Sequence, residues 1–175
     1  ERSIFSFLNS GEPNGFLYFL QHQENNKEIY TLDKLFDYLQ VNLEPSILVS
    51  NIGQAWSEAA DSIRRAESLD DNDVIKVTKC ISIIDLFGKN ISLFPTKEIL
   101  SYSLNLTQNK LSKILKDLEN KKIIVFRKFK DAYALFSGSD IDIDEVTELN
   151  KSKIKDDYDI ILSHLPQLQP IVAKK

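Results

Sequence analysis

Residues 96–136 read TKEILSYSLNLTQNKLSKILKDLENKKIIVFRKFKDAYALF, and this stretch decides the fold. Thr96 opens it with a side-chain oxygen that can accept from the free N–H groups of a helix over 97–103. The link Leu104-Asn105-Leu106 has room for a tight turn only. Thr107 then caps a second helix that runs to position 120. Along it Leu111, Ile114, Leu115 and Leu118 recur at intervals of three and four, which lays one apolar stripe along a helix. Residues 123–128, IIVFRK, change the pattern to β-branched and extended. Lys130-Asp131 makes a short turn, and 133–136 returns as a second strand.

Working outward, Asp70-Asp71-Asn72-Asp73 supplies a cap and an acidic first turn for a helix over 74–87, which suits the helix dipole. Gly88 is placed to end it, and 91–94 reads as a short extended piece. Helix, short strand, helix, tight turn, helix, β-hairpin is the order of a winged helix, expected at 73–137. Upstream, 1–72 reads as a helical region. It has an apolar start over 1–8, a turn cluster at 9–15 and a short helix over 16–20. Thr31 caps a helix carrying Leu32, Leu35, Phe36 and Leu39, and Pro45 follows that helix. A further helix over 52–68 keeps Ala55, Trp56, Ala59, Ile63 and Ala66 on one face. Downstream, 138–175 reads as a helical extension with a helix over 152–165, interrupted by Pro166 and Pro170. The fold class is mainly α: a helical bundle carrying a winged-helix unit.

The chain has 175 residues, 42% apolar and 27% charged, enough for a packed core. One cysteine, Cys80, excludes an internal disulfide framework and fits a reducing, cytoplasmic setting. No apolar run reaches the length of a membrane span, and no signal peptide opens the chain. Met is absent even at position 1, so the sequence reads as a piece of a longer protein.

The net charge of −4 hides a polarity. Residues 107–130 carry +6 and the remainder −10. Lys110, Lys113 and Lys116 lie off the leucine stripe and face outward; Arg127, Lys128 and Lys130 follow on the hairpin. Basic groups so placed neutralise phosphates, and a helix of this kind can enter a major groove of DNA or contact RNA. Gln108, Asn109 and Ser112 are candidates to read bases. A solvated helix face, or a protein-docking winged helix, accounts for the same charges, and both alternatives stand.

Other candidates are weaker. Gly138-Ser139-Asp140-Ile141-Asp142 superficially resembles the Gly-Ser turn and paired aspartates of nucleotidyltransferases, but the intervening helical segment is missing. A turn and helix cap explain it better. His22 and His164 lack partners at ligand spacing, so no metal site is expected. Cys80 and Trp56 read as core residues. No phosphate-binding glycine loop occurs, so no catalytic residue and no cofactor are assigned to this stretch.

Several motifs together carry a family resemblance. Residues 1–13, ERSIFSFLNSGEP, resemble a signature that follows the ATPase core in large prokaryotic P-loop ATPases of AAA-like or STAND-like type. YTLDKLFDY at 30–38, Leu86-Phe87-Gly88 and FSGSDID at 136–142 continue the likeness in order, as does PIVAKK at 170–175. The family has Trp where this chain has Phe136. The resemblance implies a non-catalytic regulatory or recognition module behind an ATPase core, in a phage-defence or mobile-element setting. ATP and Mg²⁺ would then belong to the parent protein, and the partners would be nucleic acid or adjoining domains or subunits. Arg2 becomes a candidate arginine finger, with a plain surface arginine as the alternative. A second implied role is purely structural, packing on the ATPase core.

Overall fold

The structure, a computed structural model, describes residues 4–23, 28–88, 91–136 and 138. A 3₁₀ helix, Ile4–Asn9, leads into α1 (Phe16–Gln21), α2 (Leu32–Leu48), α3 (Gly53–Glu67), α4 (Asn72–Phe87), α5 (Lys97–Leu104) and α6 (Gln108–Asn120). Strands β1 (Ile124–Arg127) and β2 (Ala132–Leu135) close the described chain as an antiparallel pair, with Ile124 opposite Leu135 and Arg127 opposite Ala132. The architecture is mainly helical with a small two-stranded sheet. Glu1–Gly138 is one compact unit and Ser139–Lys175 a second. The second unit, with the expected helix over 152–165, lies outside the described residues.

Two apolar clusters make the core, and α4 takes part in both. On one side Val77, Cys80, Ile81 and Ile84 meet Leu100 of α5, Leu111, Leu115 and Leu118 of α6, and Ile123 and Ile124. On the other, Ile83 joins Phe36, Leu39, Trp56 and Ile63 from α2 and α3. A helix buried on both sides cannot present a polar stripe, so its polar residues must satisfy themselves. Thr78 Oγ1 donates to the Val74 carbonyl at 2.9 Å and Ser82 Oγ to the Thr78 carbonyl at 2.8 Å. The expected boundary between 72 and 73 falls inside the first turn of α4, a helix that packs on both halves.

Local details show which sequence signals operated. Asp71 caps α4, its Oδ1 accepting from Asp73 N–H at 2.8 Å and Val74 N–H at 3.4 Å. Thr96 caps α5 by accepting from Ile99 N–H. Thr31 and Thr107 occupy the corresponding positions of α2 and α6 without a side-chain bond. Gly88 does end α4, at a φ of −76° open to any residue. Glycine is needed there for room, since a Cβ would lie 2.4 Å from the Leu93 carbonyl oxygen and 2.5 Å from that of Ile84.

Three expectations are corrected. Pro45 lies inside α2 and does not follow it. The proline leaves only the Val41 carbonyl without its helical N–H, and Val41 is exposed, so water can serve that oxygen. Residues 91–94 form no strand: Ser92 is left-handed at φ 53°, and Pro95 has no N–H to donate. A single bond, Tyr133 N–H to the Pro95 carbonyl at 3.0 Å, ties this segment to β2. Ala55 faces solvent; Gly53, Trp56, Ala59, Ile63 and Ala66 form the buried face of α3.

Candidate nucleic-acid interface

The leucine stripe orients α6. Leu111, Ile114, Leu115 and Leu118 are buried, and at about 100° per residue the opposite face carries Asn109, Lys113, Lys116 and Asn120. Lys113 and Lys116 are exposed and have no ion pair among the described residues. Lys121, at the C-terminal cap of α6, is exposed and equally uncommitted. Lys128, on the turn after β1, is the fourth such group of α6 and the hairpin.

The other three expected contacts are engaged within the protein. Lys110 lies on the flank of α6 facing α4, where its ammonium is paired with the Asp73 carboxylate. That hydrogen bond, with the Asp73 charge behind it, holds the Lys110 pKa above its ordinary value. Arg127, half-buried with its Nε enclosed, lines a small cavity with Asp85, Phe94, Lys130 and Tyr133. Lys130 Nζ lies 5.0 Å from the Phe129 ring centroid and 5.7 Å from that of Phe94, in reach of both cation–π attractions. Among the proposed base readers, the Ser112 hydroxyl donates to the Gln108 carbonyl, while Gln108 and Asn109 are exposed.

The hairpin is fixed to the helical body. Phe126 and Tyr133, opposite each other in the register, place their rings 5.0 Å apart. Burial is the first cause of a raised Tyr133 pKa, with Glu119 and Asp131 adding to it. Arg65 of α3 donates from Nη1 to the Lys122 carbonyl at 3.0 Å and from Nη2 to that of Phe136 at 3.5 Å. One side chain thus ties α3 to the entrance of β1 and the exit of β2. A wide cleft of about 610 Å³ beside it is lined by Glu58, Asp61, Arg64, Arg65, Ser68, Phe136 and Gly138. Arg64 is held by Asp61 at 2.7 Å, so its charge is already answered.

Sequence reasoning overlooked Tyr102, an aromatic in the last turn of α5 that is 88% exposed. Its signal was available: Leu100 marks the buried face of α5, and Tyr102 falls about 200° away. Arg2 and all of Gly138-Ser139-Asp140-Ile141-Asp142 except Gly138 lie outside the described residues, as does His164. His22 is exposed and hydrogen-bonded through Nδ1 to the Tyr18 carbonyl. No group of three metal-ligating side chains occurs among the described residues, and no described helix is long and apolar enough to cross a membrane.

No family model, curated protein or solved structure matches the chain. The likeness to P-loop ATPases therefore stands on its quoted motifs alone.

Proposed function

We propose that residues 73–137 are a winged helix that contacts nucleic acid, with α6 as the recognition helix and the β1–β2 hairpin as the wing. The observation that carries this reading is the outward stripe of α6. Lys113 and Lys116 stand on it unpaired, flanked by Asn109 and Asn120, with Lys121 and Lys128 adjoining. Unpaired cations on one rigid helix face cost little to bring against phosphates, because no internal ion pair has to break. The element order supports the winged-helix reading: α4, α5 and α6 share one core with the strand that follows. The module is non-catalytic in this reading and serves recognition or regulation within a larger cytoplasmic protein. By the motif resemblance that protein is an ATPase, which would supply ATP and Mg²⁺ chemistry outside this chain.

The test is binding of a labelled duplex by fluorescence anisotropy at two salt concentrations. A steep salt dependence, flattened by Lys113→Gln and Lys116→Gln together, is expected. Absence of binding to this duplex and to a labelled single strand at low salt sinks the reading.

A second reading, docking on a neighbouring domain or subunit, is favoured by a different surface. Phe5 is 71% exposed, and Leu8, Leu17 and Leu20 are exposed on the adjoining 3₁₀ helix and α1. Four large apolar groups on one small substructure suit a protein partner better than water. Polar substitutions at Phe5 and Leu20 separate the two readings: docking is lost and nucleic-acid binding kept. The parent reading frame tests the ATPase setting, which requires a phosphate-binding loop upstream of Glu1.

A further inference from the structure

We infer that Tyr102 is a stacking platform for an unpaired base, so that the face built by α5 and α6 takes nucleic acid with single-stranded character. This rests on the nucleic-acid reading above and names the form of its ligand.

Tyr102 is the most exposed of the large apolar and aromatic side chains among the described residues. The other aromatics between 91 and 136 are engaged. Phe94 and Phe129 lie under the Lys130 ammonium, Phe136 lies within 5.9 Å of Lys122 Nζ, and Phe126 and Tyr133 face each other. Tyr102 has neither a ring contact nor a side-chain hydrogen bond among the described residues.

Its mount is rigid. Asn105, left-handed at φ 51°, ends α5 and returns its N–H to the Tyr102 carbonyl at 3.3 Å. Ser101 Oγ donates to the Leu106 carbonyl at 2.7 Å, closing the same turn from the other side. The backbone that carries the ring is therefore held at a fixed place just ahead of α6. A tyrosine has only two side-chain torsions to lose when a base stacks on it.

The surrounding charge selects which part of a nucleic acid can sit there. Glu98 lies one turn before Tyr102 on the outward face of α5 and is exposed. The Glu98 carboxylate disfavours a phosphate on its side of the ring, with exposed Lys97 next to it in the chain, whereas the neutral face of a base is indifferent to both. Backbone phosphates belong with Lys113 and Lys116. In a duplex, bases are stacked on one another and present only their edges, so a side-on ring has no base face to meet. A single strand, or a duplex with an unpaired end, offers one.

The experiment compares wild type, Tyr102→Ala and Tyr102→Phe, each titrated with a labelled oligothymidylate and with a blunt duplex at one salt concentration. Tyr102→Ala is expected to weaken single-strand binding by about 5-fold or more, the lower end for loss of one base–aromatic stack. Tyr102→Phe keeps the ring and should stay within about twofold of wild type. Blunt-duplex binding should not respond to either. Single-strand binding indifferent to Tyr102→Ala overturns the inference while leaving the parent reading intact. So does an equal loss in the Phe and Ala variants, which assigns the effect to the hydroxyl. Failure of wild type to bind either probe at low salt overturns both. The site is exposed and alanine is a good helix former, so both variants are expected to fold, which far-ultraviolet circular dichroism checks.

Discussion

Replacing Lys110, Lys113 and Lys116 one at a time by Gln discriminates between a charge cluster and a charge cluster with one member already spent. On α6 and the hairpin, four lysines, Lys113, Lys116, Lys121 and Lys128, are exposed and have no ion pair or ring contact among the described residues. If each meets one phosphate of B-form DNA, log Kobs falls against log salt with a slope of about −3.6. Affinity then drops about 150-fold between 50 and 200 mM salt. Lys113→Gln and Lys116→Gln should each flatten the slope by about 0.9, and together they reduce the same drop to about 12-fold. Lys110→Gln should leave the slope unchanged, because the Asp73 carboxylate already answers that ammonium. Asp73→Asn releases Lys110 and should steepen the slope by about 0.9. The assay is anisotropy of a labelled duplex across a salt series, with the slope as the readout. Equal flattening by Lys110→Gln and Lys113→Gln would refute the reasoning, since the internal pair would then have no influence on the interface.

Three further outcomes concern the body of the fold. Asp71→Ala removes the only side-chain cap of α4 and should cost about 1 kcal/mol in urea unfolding; an unchanged midpoint contradicts the assigned cap. Trp56 stacks on Phe36 with centroids 4.7 Å apart and donates to Glu44 Oε1, so Trp56→Ala should cost about 3–5 kcal/mol. As the only Trp and a fully buried one, it should emit in the blue when native and shift red through the same transition. Cys80 is buried, and burial, aided by Asp33 and opposed by a Ser103 hydrogen bond, pushes its thiol up to about 12. In the unfolded chain the thiol ionises from its ordinary value of 9.0, while the native thiol keeps its proton. The unfolded state therefore binds fewer protons above that pH, and stability falls as pH rises from 9.0 towards about 12. Alkylation by a thiol reagent at mildly alkaline pH should accordingly be slow in the native protein and fast in urea; rapid native labelling would contradict the burial.

The candidate interface was partly legible. The outward placement of Lys113 and Lys116 is legible because helix period and leucine spacing are local properties, and local pattern orients a helix. The pairing of Lys110 is not legible, because its partner, Asp73, lies on another helix and no spacing rule connects the two positions. For Arg127 and Lys130 the sequence shows only the charge; the hairpin folds Arg127 beside a cavity and brings Lys130 over aromatic rings from two segments. Tyr102 went unnoticed because its exposure depends on which face of α5 the core takes.

The sequence by itself determined the six described helices, the hairpin and their order, since caps, apolar period and β-branched runs act over a few residues. It also located the basic stretch, 107–130, of an otherwise acidic chain. Tertiary structure alone decided that α4 would serve two cores at once, that Pro45 would be carried inside α2, and that 91–94 would bend away from strand pairing. It decided, too, which lysines remain free. A charge is a property of one residue, but its availability depends on what the fold brings within reach of it.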